Sequence, residues 1–140
     1  MTKKRNLYEV QVKTKKFQDL VGITEDINQV LEENKIENGV CILFLPHTTA
    51  SLTINSYLDI DTSNDLHDEI NRIVPTRVDF QHIRDTPTDA AGHIKSSLVG
   101  VSSMLIIENG KILLGRSQGI FFWEFDGPRD RVVYLKIIED

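Results

Sequence analysis

From residue 103 onward the chain reads as strand after strand, and this run restricts the possible folds more than any other feature. Residues 103–108 form one strand and residues 111–114 another. Between them, Asn109-Gly110 suits the positive backbone angles of a tight hairpin turn. Residues 120–125 and 132–138 follow, joined around Asp126-Gly127-Pro128. Strands linked by connections this short pair antiparallel, because a parallel crossover needs a dozen or more residues.

The first hundred residues mix both element types. Residues 7–13 alternate, with Tyr8, Val10 and Val12 on one side and Glu9, Gln11 and Lys13 on the other, as a half-exposed strand does. After a connection through Phe17 and Leu20, Thr24 can cap a helix. Its first turn carries Glu25 and Asp26, its apolar face is Ile27, Val30 and Leu31, and Asn38-Gly39 stops it. Residues 40–45 are a short continuous apolar run and residues 51–55 alternate, so two strands bracket His47. Residues 61–63 offer caps for a second helix along Leu66, Ile70, Ile73 and Val74, which ends at Pro75. Residues 78–92 hold Pro87, several aspartates and threonines and little periodicity, and read as a long loop. The expected fold is α+β: one domain over residues 1–140, mainly antiparallel and β-sandwich-like, with two principal helices on the outside. A doubly wound sheet is excluded, because strand and helix do not alternate strictly.

With 140 residues, 40% hydrophobic and 26% charged, the chain can bury a core without disulfides. A net charge of −5 argues against nucleic acid as a dominant partner. The single cysteine, Cys41, lies in the apolar run and cannot form an internal disulfide, which fits a reducing cytoplasm. The basic N-terminus is followed by no hydrophobic segment of signal-peptide type. No apolar stretch approaches the ~20 residues of a membrane helix, so neither export nor membrane insertion is expected.

Three of the four histidines, His47, His82 and His93, stand where a strand or hydrophobic run gives way to polar residues. Thr48, Thr49, Ser51, Lys95, Ser96 and Ser97 accompany them. Neutral imidazole is the commonest protein ligand of divalent metals, and hydroxyls with a lysine suit a phosphate. Zinc is the first choice, because imidazole suits it better than magnesium. No compact zinc spacing is present, so separate polar or core roles for the three rings remain the alternative. Lys95 and Arg129 can receive phosphate by charge, although Arg129 can equally pair with Asp126 or Asp130. Alternation places Glu124 with Ile120 and Phe122, opposite Phe121, Trp123 and Phe125. A carboxylate there could be a general acid or base with a raised pKa, support a ligating imidazole, or pair with Arg116 or Arg131. Asp59, Asp61, Asp85 and Asp89 could hold magnesium on a diphosphate, with capping as the plainer role. The Phe121-Phe122-Trp123 cluster could stack a heteroaromatic ring, with core or subunit interface as the plainer role, and His67 reads as a helix surface residue.

In combination, these motifs resemble the YjbQ-like family, often labelled secondary thiamin-phosphate synthase. The resemblance is carried by residues 47–55 (His47-Thr48-Thr49-Ala50-Ser51-Leu52-Thr53-Ile54-Asn55), His82, and residues 93–100 from His93-Ile94-Lys95-Ser96-Ser97. Leu114-Gly115, Gln118-Gly119-Ile120 and residues 124–129 with Arg131 complete it. It implies a β-sandwich-like fold, a homotrimer, and the joining of an aminopyrimidine diphosphate to a thiazole phosphate. In the implied site His47, His82 and His93 hold the metal, while Glu124 and Lys95 are catalytic. Thr48, Thr49, Ser51 and Asn55 would bind the phosphorylated substrate together with Lys95, Ser96, Gln118 and Arg129. Ser56 stands where the family commonly has glutamate, and Arg116-Ser117 where Thr-Trp is common. If that acid or indole handles substrate, the substrate differs here or the activity is lost. The competing readings are a metal-dependent hydrolase and a non-catalytic trimeric module that binds a small ligand.

Overall fold

The computed structural model describes residues 5–77, 80–81 and 86–140. The elements run β1 (Leu7–Lys13), β2 (Asp19–Gly22), α1 (Thr24–Glu33), β3 (Gly39–Phe44), β4 (Ala50–Ser56), α2 (Ile60–Ile73), α3 (Pro87–Val99), β5 (Ser102–Glu108), β6 (Lys111–Ile112), β7 (Gln118–Glu124) and β8 (Asp130–Glu139). Every strand pair described is antiparallel. The strands make a five-stranded sheet, β1-β8-β3-β5-β6, and a three-stranded sheet, β2-β7-β4.

The period-2 pattern explains the layering. In β8, Arg131, Val133, Leu135 and Ile137 are buried and their neighbours are not. In β7, Ile120, Phe122 and Glu124 face the same interior. Helix α1 drives Ile27 and Leu31 into the core between the sheets, where they meet Val12, Leu43, Phe122 and Leu135. The opposite face of β7 carries Trp123, which joins Phe125 and Ile70 of α2 in a second apolar cluster flanked by Leu66 and Val99. The three-stranded sheet is thus covered on both sides, and α2 and α3 lie over its outer face.

Four sequence expectations change. Residues 78–92 are not one loop, because α3 begins at Pro87, with Thr86 accepting a hydrogen bond from the Asp89 amide and Pro87 in the first turn. There are therefore three helices rather than two. The segment around Leu20 is a strand, β2, paired with β7. Thr24 does not cap α1: its hydroxyl accepts from the Ile120 amide at 2.8 Å and ties the helix to β7, while Asp59 caps α2. The Asn109-Gly110 turn has φ of 53° and 82°, the positive pair its sequence suggests. No helix among the described residues is long and apolar enough to cross a membrane.

Candidate functional site

His47 and His93 come together. His47 and Thr48 follow β3, His93, Ser96 and Ser97 belong to α3, and with Gly100 and Val101 these residues line one cavity of about 430 Å³. Strand β4 packs under α3, where Ser96 Oγ donates to the Ala50 carbonyl at 2.8 Å and Ser51 Oγ donates to the Ser96 carbonyl at 3.3 Å. Ser51 is thereby sealed between strand and helix, and Ser96, though it lines the cavity, spends its hydroxyl on the same seam. Helix α3 approaches this closely because Gly92 has no side chain: a Cβ there would lie 3.2 Å from Thr49 Cγ2.

Both rings are held through Nε2. That of His47 lies 3.1 Å from the Val132 carbonyl oxygen, and that of His93 lies 3.2 Å from Asp89 Oδ2. When Nε2 carries the proton and donates to these oxygens, the lone pair of each ring sits on Nδ1. This is how metal-ligating histidines are usually braced, by a carbonyl or a carboxylate on the far nitrogen. The Val132 amide, 3.0 Å away, serves the opposite tautomer of His47. Burial and then the nearby Arg131 guanidinium lower the pKa of His47, so the ring is neutral at physiological pH, as a ligand must be. The described pocket offers two imidazoles. His82 lies outside the described residues, as does Asp85, and among the described residues no three His, Cys, Asp or Glu side chains converge on a metal position.

Glu124 is fully buried and clasped from several sides. Arg131 donates from Nε to Oε1 at 2.8 Å and from Nη2 to Oε2, Thr14 Oγ1 donates at 2.8 Å, and the Asp126 amide donates at 3.1 Å. Burial alone would raise its pKa, but these donors, Arg131 foremost, hold it below the ordinary carboxylate value. Of the roles open to it, the geometry realises the ion pair with Arg131 and not a proton-exchanging acid. Thr49 belongs to the same network, its hydroxyl accepting from Arg131 at 2.9 Å.

The remaining candidates lie elsewhere. Lys95 and His93 are two helical positions, and so about 200°, apart. The lysine points away from the cavity, toward α2, where Nζ donates to Asn71 Oδ1 at 2.7 Å. Arg129 folds back onto Asp126, with 2.7 Å to its carbonyl and 2.9 Å to its carboxylate. Asn55 and Gln118 sit at the far end of the β4–β7 pair, about 20 Å along the strands from Thr49. There Gln118 and Arg116 line a different cavity, of about 490 Å³, together with Tyr57 and Phe121. His67 is a half-buried acceptor for the Trp123 indole N–H at 3.1 Å rather than a surface residue. Sequence reasoning missed Asp89 as the brace of His93; its i, i+4 spacing becomes a signal once a helix is assigned there.

The fold and pocket define a class: an antiparallel α+β sandwich in which the β3–β4 connection and helix α3 present histidines beside hydroxyls. Residues 8–140 match the family described as UPF0047 protein YjbQ-like. UPF0047 protein MJ1081 of Methanocaldococcus jannaschii is 46% identical over 134 residues, covering 96% of this chain and 95% of the relative. UPF0047 protein YugU of Bacillus subtilis is 39% identical, covering 94% and 98%. Among solved structures, a YbjQ-like protein of unknown function from Sulfolobus solfataricus superposes with a TM-score of 0.88 at 27% identity, covering 96% of both chains. A conserved YjbQ/UPF0047 protein from Clostridium acetobutylicum does so with 0.86 at 40% identity, covering 94% and 99%. The chain belongs to the YjbQ/UPF0047 family.

Proposed function

We propose that the His47–His93 cavity is a metal-dependent site for a small phosphorylated molecule. The observation that carries this reading is the bracing of two imidazoles by oxygen atoms at one cavity. Zinc is the preferred ion, with His47 and His93 as ligands and His82 as the third ligand that the sequence resemblance implies. When bound, such an ion polarises a phosphoryl or carbonyl oxygen or activates a water. The chain's own groups would orient the substrate: Thr48 and Ser97 are exposed hydroxyls at the rim. The synthase activity is tested by incubating metal-loaded protein with aminopyrimidine diphosphate and thiazole phosphate. Thiamin phosphate should form with the wild type and not with His47→Ala, and no product above the blank rejects that activity.

One observation favours a second reading, metal-assisted hydrolysis. Among the described residues that line the cavity there is no lysine or arginine, and a departing diphosphate would need such charge. A panel of phosphoesters separates the two. Magnesium carried in by a diphosphate fits the synthase alone. Tight binding of phosphorylated compounds without turnover would identify a binding module.

The proposal includes a homotrimer. Its support is the uncovered outer face of the five-stranded sheet, where Met104 is 74%, Ile106 56% and Ile138 55% exposed. These flank Val40 and Ile42 through the pairs Val40↔Ile106, Ile42↔Met104 and Val40↔Ile138, and the exposed Phe44 follows on the same face of β3. A contiguous apolar face of this kind marks an interaction surface. A cytoplasmic setting accords with Cys41, a buried free thiol.

A further inference from the structure

The cavity of about 490 Å³ at the far end of the β4–β7 pair is lined by two aromatic residues, Tyr57 and Phe121, and by one residue of each charge, Arg116 and Glu25. Two glycines shape it. Gly22 stands opposite Phe121 in the β2–β7 register, and Gly119 precedes Phe121 by two residues on the same face of β7. A Cβ on Gly119 would lie 3.1 Å from Tyr57 Cβ and 3.4 Å from Phe121 Cε2, and one on Gly22 would lie 4.0 Å from Phe121 Cε1. With neither side chain present, Tyr57 closes on β7 and the Phe121 ring is left bare at both edges. Tyr57 is fixed at two points on the loop between β6 and β7: its amide donates to the Ser117 carbonyl at 3.1 Å and its hydroxyl to the Arg116 carbonyl at 3.4 Å. The Gly115 amide, donating to Gln118 Oε1 at 2.7 Å, braces that loop. The wall is thus built without a ligand, yet Tyr57 remains 58% exposed.

The charges are equally unspent. Among the described residues, neither Arg116 nor Glu25 has an ion-pair partner, although both line this cavity, Glu25 from the first turn of α1 and Arg116 from the β6–β7 loop. One cation and one anion sum to no net charge. Such a lining disfavours a nucleotide or other multiply charged phosphate and suits a ligand that carries both signs itself. We infer that this cavity binds a free α-amino acid with an aromatic side chain, at a site separate from the histidine cavity. The Arg116 fork receives the carboxylate, Glu25 accepts from the ammonium, and the side-chain ring packs against Tyr57 and Phe121 in offset or edge contact. The volume is within the range of about 300–1,000 Å³ typical of small-molecule sites. No metal is required, and the histidines lie about 20 Å away along the strands.

The test is isothermal titration of the metal-free full chain with L-phenylalanine, beside phenethylamine, which lacks the carboxylate, and phenylacetate, which lacks the ammonium. L-Phenylalanine should bind about fivefold more tightly than either, the most that one ion pair open to water ordinarily supplies. Arg116→Gln should lower the affinity for L-phenylalanine to that for phenethylamine, and Glu25→Gln should lower it to that for phenylacetate. Both side chains are exposed, so the variants keep the fold. His47→Ala should bind as the wild type does, which separates this site from the histidine cavity. No heat with millimolar L-phenylalanine, equal affinity for the three compounds, affinity unchanged in both charge variants, or loss of binding in His47→Ala overturns the inference.

Discussion

Glu124 and Arg131 form a buried ion pair between β7 and β8, and removing one partner leaves the other charged and desolvated. Arg131→Met should therefore cost about 3–5 kcal/mol in urea unfolding, and Glu124→Met/Arg131→Met should recover most of it. Because the folded-state pKa of Glu124 lies below the ordinary 4.5, the unfolded chain takes up this proton first as pH falls. The stabilisation is complete above that ordinary value and lost on acidification through the lower folded one, so Glu124→Gln should flatten the acid limb of the stability profile. Gly127 borders the same network: a Cβ there would lie 2.7 Å from Glu124 Cγ and 2.9 Å from Thr14 Oγ1. The face of Glu124 was legible in the sequence because strand alternation fixes it. Its partner was not, since Arg116 and Arg131 both suit a carboxylate until the placement of β8 puts one of them opposite it.

At the scale of elements, α3 decides where the site residues go. Its start signals, Thr86 and Pro87, are present in the sequence, but its buried face is Asp89, Ala90, Ala91, Gly92, Lys95 and Ser96, with no apolar stripe for a periodicity argument to find. Reading a loop there left the directions of His93 and Lys95 undetermined, and the helix sends them to different sides. Two substitutions test this placement. Gly92→Val should push α3 off Thr49 and destabilise the fold by about 1–3 kcal/mol. Lys95→Met should instead raise stability at neutral pH, because a lowered folded-state pKa means that the ammonium is a net cost below it. Thermal unfolding at matched pH distinguishes the two signs, and a loss of stability in Lys95→Met would contradict the account of that side chain.

Across the whole molecule, the antiparallel sandwich was legible because hairpin turns and period-2 burial are local signals. The pocket was legible only in part. His47 and His93 meet because β4 packs beneath α3, whereas Asn55 and Gln118, equally prominent as motif positions, are carried to the opposite end of the sheet. The uncovered sheet face predicts assembly: Met104→Lys/Ile106→Glu should convert a trimer to monomers by light scattering, with the circular dichroism unchanged. A monomeric wild type would remove that proposal. The central claim is that His47 and His93 hold a metal at one cavity, and elemental analysis of the zinc-reconstituted, desalted chain beside His47→Ala and His93→Ala tests it most directly. The account predicts stoichiometric zinc in the wild type and its loss in both folded variants, whereas equal metal content in all three proteins would contradict it.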